Sequence, residues 1–203
     1  PDGLHVYDGH TSQPEPQTRQ AQVDDVWRRT KEFVRAVEDA GLPVPRIVCG
    51  GTGSFPMWAA IGREEPRIEA SPGTFFLNDW GYFRRYPDLP YFPAAVLFTR
   101  VVSKPRPGRL TLDLGSKAVA PDSDVALRAV ILDLPDAAIV GQSEEHLVVE
   151  TSEADRFEPG DLLYAWPNHI CPTCALHKEL LVVEQGKVAG SWPVAARDRV
   201  LGV

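Results

Sequence analysis

The 203-residue chain is 43% hydrophobic and 24% charged, which is apolar material enough for one or two domains with a real core. Its 21 Lys and Arg against 28 Asp and Glu leave a net charge of −7, which argues against a nucleic-acid scaffold with the usual basic face. No apolar run approaches the roughly 18–20 residues of a membrane-spanning helix. That leaves no membrane partner expected, and three cysteines, which make no disulfide framework, point to a reducing, cytoplasmic setting.

The chain opens Pro1-Asp2-Gly3-Leu4-His5-Val6-Tyr7-Asp8-Gly9-His10, without an initiator Met and with no stretch that reads as a signal peptide. Leu4, Val6 and the Tyr7 ring read as a strand already under way, so the chain is expected to be the second part of a longer protein. A polar loop follows over 11–18. Val23, Val26, Trp27, Thr30, Phe33, Val34, Val37 and Ala40 then recur at spacings of three and four, the pattern of an amphipathic helix. Gly41 and Pro43 end it. Ile47 and Val48 form a short buried strand running into Cys49-Gly50-Gly51-Thr52-Gly53-Ser54, and a second helix opens over 56–61. A third strand, Arg67-Ile68-Glu69-Ala70, runs into Ser71-Pro72-Gly73-Thr74.

This alternation implies parallel strands with right-handed crossovers. A (β/α)₈ barrel spends roughly 30 residues per unit, so the first part would hold about three units, with on the order of 150 residues upstream. An open three-layer sheet is the competing arrangement.

From Ala94 the pattern changes. Short alternating runs cover 95–103, 109–114, 128–132, 138–142, 146–150, 161–165, 180–184 and 187–194, separated by Gly and Pro. They predict an antiparallel β-barrel or sandwich. The boundary is expected near Tyr91–Pro93. The division is thus 1–93, the C-terminal part of a (β/α)₈ barrel, and 94–203, a β domain.

Three places can carry chemistry. In Gly50-Gly51-Thr52-Gly53-Ser54, glycines let the backbone approach an anion, and amides and hydroxyls can hold phosphate oxygens. The same residues also suit a plain strand-to-helix turn. Ser71-Pro72-Gly73-Thr74 follows the next strand, where barrel phosphate sites are commonly built. The second place is Pro167-Asn168-His169-Ile170-Cys171-Pro172-Thr173-Cys174. His-x-Cys in an extended segment puts imidazole and thiolate on one face, a borderline-soft pair suited to zinc. Cys174 adds a CxxC, which opens a redox reading that would want a helix N-terminus and a thioredoxin-like βαβ context, and the surrounding β pattern argues against it. A deaminase zinc site lacks its His-x-Glu half, and a loop with buried thiols is the plain alternative. The third place is Tyr7-Asp8-Gly9-His10, at the C-terminal end of the first strand. There Tyr7 could line a cofactor, and His10 reads more simply as a surface histidine. Lys117 reads most simply as a solvated turn lysine.

Tyr7-Asp8-Gly9-His10, Gly50-Gly51-Thr52-Gly53, Ser71-Pro72-Gly73-Thr74, Asp113-Leu114-Gly115-Ser116-Lys117-Ala118 and Pro167-Asn168-His169-Ile170-Cys171-Pro172-Thr173 occur in this order. Together they resemble the C-terminal half of the D-serine dehydratase/D-threonine aldolase family, pyridoxal-phosphate (PLP) enzymes with an alanine-racemase-like fold. The resemblance implies a PLP barrel followed by a β domain, a homodimer with active sites near its interface, and small D-amino acids as substrates. Tyr7, Gly51, Thr52, Gly53, Gly73 and Thr74 would then bind the cofactor, and His169 and Cys171 would bind a divalent metal. His-x-Cys is the form typical of the dehydratase side, with zinc. The aldolase side more often has His-x-Asp, with manganese or magnesium. Cys174 lies outside the pattern and is left out of the metal site.

The family's Schiff-base lysine lies on the first barrel strand. The lysines here, Lys31, Lys104, Lys117, Lys178 and Lys187, fall elsewhere. No catalytic residue is therefore assigned in this chain, which alone is expected to be inactive. The reaction implied is loss of the β-hydroxyl, giving keto acid and ammonia, or Cα–Cβ cleavage, giving glycine and an aldehyde. A non-catalytic metal-binding β module and a metal-free, PLP-binding racemase-like protein are the alternatives.

Overall fold

The computed structural model describes residues 2–198, 200 and 202. It divides into unit 1, Pro1–Asn78 with Tyr82–Phe92, and unit 2, Asp79–Gly81 with Pro93–Val203.

Unit 1 is built on a parallel sheet in the order β1-β2-β3, with β1 Leu4–Val6, β2 Ile47–Cys49 and β3 Ile68–Ala70. Between β1 and β2 runs helix α1, Pro16–Asp39. Pro16 at its start suits a position whose N–H has no helical partner. The Glu15 carboxylate caps it, accepting from the N–H groups of Gln17 (2.9 Å) and Thr18 (2.6 Å). These bonds hold that carboxyl below its usual pKa. At the other end, Gly41 N–H bonds the Glu38 carbonyl and Leu42 N–H the Val37 carbonyl, the Schellman closure.

Helix α2, Phe55–Ile61, follows β2. Val23 and Val34 of α1 pack with Val44, Ile47, Cys49, Met57 and Trp58 in the core, and Trp27 meets Trp58 edge-on at 6.2 Å. The predicted apolar face of α1 needs one correction, at Phe33, and the helix also buries a residue that the pattern leaves out. Phe33 is 59% exposed, whereas Arg19 is fully buried. Arg19 is held in the interior by an ion pair with Asp88, by the carbonyls of Gln13 (2.9 Å) and Pro14 (3.0 Å), and by the Tyr86 ring at 4.7 Å. A buried guanidinium is tolerated when it is paired in this way.

Helix α3, Trp80–Arg85, carries the chain from one unit to the other. Unit 2 holds a six-stranded antiparallel sheet in the order β6-β9-β4-β5-β8-β7. Its strands are β4 Leu97–Arg106, β5 Arg109–Leu112, β6 Ala129–Ile131, β7 Ala138–Gln142, β8 Leu147–Glu150 and β9 Leu162–Pro167. Burial alternates along β5, β8 and β9. This puts Leu110, Leu112, Leu147, Val149, Leu163 and Ala165 on one face, where they form the core with Val101, Ile131 and Ile139. A short helix α4, Ile170–Leu176, leaves β9 and leads to the hairpin β10 Glu179–Glu184 and β11 Lys187–Pro193. No helix among the described residues is long and apolar enough to cross a membrane.

Candidate functional site

In unit 1 the parallel register brings the carboxyl ends of β2 and β3 together, so the loops at 50–54 and 71–74 leave the same end of the sheet. They are joined directly. Ser71 N–H donates to the Cys49 carbonyl at 2.8 Å, Ser71 Oγ to the Gly50 carbonyl at 3.2 Å, and Phe75 N–H to Thr52 Oγ1 at 3.1 Å. Gly50 has φ +77°, and a Cβ there would lie 2.3 Å from the Trp58 ring, so the position is closed to other residues. Trp58 is fixed in turn by its indole N–H, which donates to buried Asp8 at 2.8 Å.

Thr52 and Gly53 are buried in the turn and Gly51 is half-buried, while Gly73 is exposed and Thr74 half-buried. Tyr7 is 66% exposed, and its ring edge lies beside Gly51, 3.4 Å from where a Cβ would stand. All six predicted cofactor positions therefore lie in one unit, at or beside the two joined loops. His10 is exposed.

In unit 2 the metal pair follows β9. Sequence spacing predicts an extended His-x-Cys segment, and here the structure differs. His169 is extended (φ −134°, ψ 104°) and caps α4, while Cys171 already lies in the first helical turn. Several contacts hold that turn. Buried Asp79 accepts from Ile170 N–H at 2.9 Å, and Thr173 Oγ1 donates to the His169 carbonyl at 2.7 Å and accepts from Ala120 N–H at 3.2 Å. Pro172 is tolerated because the first turn needs no amide from it. Gly81 N–H donates to the Asn168 carbonyl at 3.1 Å, and a Cβ on Gly81 would lie 2.4 Å from that oxygen.

His169 Nδ1–H donates to Asp122 Oδ2 at 2.5 Å, which leaves Nε2 as the ring's other donor atom. Its hydrogen bond to Cys171 pushes the imidazole up to about 9, with Asp122 adding to the effect and burial opposing it. The imidazole and the Cys171 thiol thus interact despite the helical turn. Among the described residues no three His, Cys, Asp or Glu side chains form a group that holds a metal together. The pair therefore offers two donors and leaves other positions to water or substrate. An imidazole, a thiol and a carboxylate behind the imidazole form a donor set that fits zinc.

Asp122 carries no sequence signal, because it stands 47 positions from its partner in an irregular loop. Lys117 pairs with Glu144 and Glu145 at 3.0 and 2.7 Å, as a solvated lysine does.

Residues 94–183 match the family described as a putative serine dehydratase domain. A 3-hydroxy-D-aspartate aldolase from Paracoccus denitrificans (strain Pd 1222) is 29% identical, aligned over 97% of this chain and 51% of its own length. The crystal structure of a D-threonine aldolase from Filomicrobium marinum superposes with a TM-score of 0.84 at 29% identity, covering 98% of this chain and 54% of that one. An alanine racemase-like protein from Idiomarina loihiensis shares the fold, with a TM-score of 0.70 at 22% identity over 95% of this chain and 55% of that one. The fold is thus that of the C-terminal part of alanine-racemase-like proteins. The chain belongs to the D-serine dehydratase/D-threonine aldolase family, and it spans about half the length of the curated relatives it matches.

Proposed function

We propose that this chain is the C-terminal portion of a metal-activated PLP lyase acting on D-β-hydroxy amino acids. The observation that carries the reading is the interacting His169–Cys171 pair, with Asp122 behind the imidazole, in a chain of this family. PLP supplies an electron sink at the substrate Cα, and the metal, zinc in this reading, supplies a Lewis acid for the β-hydroxyl.

The chain's own groups have separate tasks. The Thr52 and Thr74 hydroxyls and the backbone at Gly51, Gly53 and Gly73 hold the phosphate, and Tyr7 packs beside the ring. The joined loops, with space open around Gly73, support this assignment. His169 Nε2 and Cys171 Sγ hold the metal, while Asp122 keeps the Nδ1 proton in place and so fixes the imidazole plane. Lys31 lies on α1, away from the strand ends, and Lys104, Lys117, Lys178 and Lys187 lie in unit 2, so the cofactor lysine is assigned to no residue here. A homodimer and a cytoplasmic setting belong to the same reading, the second supported by three cysteines without a disulfide.

The test is turnover by the intact gene product with D-threonine, D-serine and 3-hydroxy-D-aspartate. The reading expects glycine and aldehyde, or ammonia and keto acid, from D-isomers only, with activity lost on chelation and in Cys171→Ala. Activity that survives both treatments overturns it.

A further inference from the structure

We propose that Cys171 and Cys174 are a modification site: they close into a reversible disulfide by exchange with a low-molecular-weight disulfide of the glutathione class. Closure withdraws Cys171 from the metal pair, and this second half rests on the zinc reading above. The two cysteines stand three residues apart on α4 and so share a helix face. At that spacing Cβ atoms are roughly 5–6 Å apart. A disulfide needs about 3.5–4.5 Å, which a small adjustment within one turn supplies.

Their exposures suit unequal roles. Cys171 is exposed, the place for the thiol that meets the oxidant, and Cys174 is half-buried behind it, the place for the resolving thiol. Cys49 is the internal contrast. It is fully buried in unit 1, donates to the Ile47 carbonyl at 3.6 Å, and burial with the nearby Asp8 charge pushes its thiol up to about 12. Of three thiols, one is sequestered and two form a pair.

The exchange balances. The Cys171 thiolate attacks one sulfur of glutathione disulfide, forming a mixed disulfide and expelling one glutathione thiolate. The Cys174 thiolate then attacks the Cys171 sulfur, forming the internal bond and expelling the second glutathione. The cysteines give up two electrons and two protons, and the oxidant becomes two thiols. A sulfur bonded in a disulfide is no longer the thiolate a metal requires.

The experiment treats metal-stripped protein with glutathione disulfide, then counts thiols in denaturant and weighs the peptide holding both cysteines. The count is expected to fall by two, with the peptide holding Cys171 and Cys174 about 2 Da lighter and dithiothreitol restoring both. Cys174→Ser is expected to stop at a glutathione adduct on Cys171, with Cys49 unreactive toward thiol reagents before denaturation as the check on folding. An unchanged thiol count, or a Cys171 adduct beside an unreacted Cys174 thiol in the native sequence, overturns the proposal. Zinc loaded beforehand is expected to slow closure, and the oxidised protein to take up no zinc. If the disulfide forms but zinc neither protects nor is excluded, the coupling to the metal pair is overturned. If the reduced protein never binds zinc, the zinc reading fails while the disulfide result stands.

Discussion

In unit 1 the candidate groups belong largely to the backbone and short hydroxyl side chains of two loops that leave neighbouring parallel strands. In unit 2 they are long-range side chains, His169, Cys171 and Asp122, gathered at the start of a short helix by Asp79, Thr173 and Gly81. The two designs fail in opposite ways. A loop that works through its backbone accepts most side-chain changes nearby but no Cβ where the chain is left-handed or crowded. A pair of donor side chains accepts backbone drift of a fraction of an ångström but not the loss of one heteroatom.

The largest effect expected is on the side-chain site. Cys171→Ala or His169→Ala is expected to weaken zinc binding beyond the roughly 100-fold range of outer-sphere changes, with little effect on folding. Titration against a chromophoric chelator measures it, and unchanged affinity in either variant breaks the contrast. In unit 1, Gly50→Ala meets both a φ of +77° and the Trp58 ring, so it is expected to cost about 2 kcal/mol or more in denaturant unfolding. Gly73→Ala has open space around it and is expected to stay within about 0.5 kcal/mol. Equal costs at the two glycines would mean that the loops are not held as described.

Smaller effects sharpen the picture. Asp122→Asn keeps the shape but removes the charge behind the imidazole, and is expected to weaken zinc by roughly 10- to 100-fold. A ligand-sized loss would make Asp122 a donor in its own right, and no loss would leave it a bystander. A polar cluster away from either site gives a pH signature. Hydrogen bonds from Ser152 and Thr151 hold the Asp136 carboxyl down to about 2 from its ordinary 3.8. A lowered folded pKa contributes stability that is present above the unfolded value and lost as pH falls through the folded one. The stability gap between the native protein and Asp136→Asn should therefore be full at pH 6 and shrink between about pH 4 and 2, as unfolding curves at several pH values would show. A gap independent of pH contradicts the assignment.

Much of the fold was legible because one-dimensional patterns carry it. Period-two alternation marked β5, β7, β8 and β9, and the three-and-four spacing with Gly41 marked the body and end of α1. Strand-then-glycine order marked the two loops of unit 1. What escaped is set by tertiary contacts. Nothing in the local pattern marks Arg19 as buried, because Asp88 and the two carbonyls that hold it lie far along the chain or in a loop. Helix α4 was read as extended because β pattern surrounds it, and the groups that hold its first turn, Asp79 and Ala120, lie outside any local window. Asp122 was invisible for the same reason. Only Thr173, poised to bond back to the His169 carbonyl, was a local hint of the helix.

The most direct test of the metal reading is X-ray absorption at the zinc edge on protein loaded with one equivalent of zinc. The account predicts one sulfur at about 2.3 Å with nitrogen and oxygen scatterers at about 2.0–2.1 Å, and loss of the sulfur shell in Cys171→Ala. A shell without sulfur in the native protein, or an identical spectrum in the variant, would contradict it.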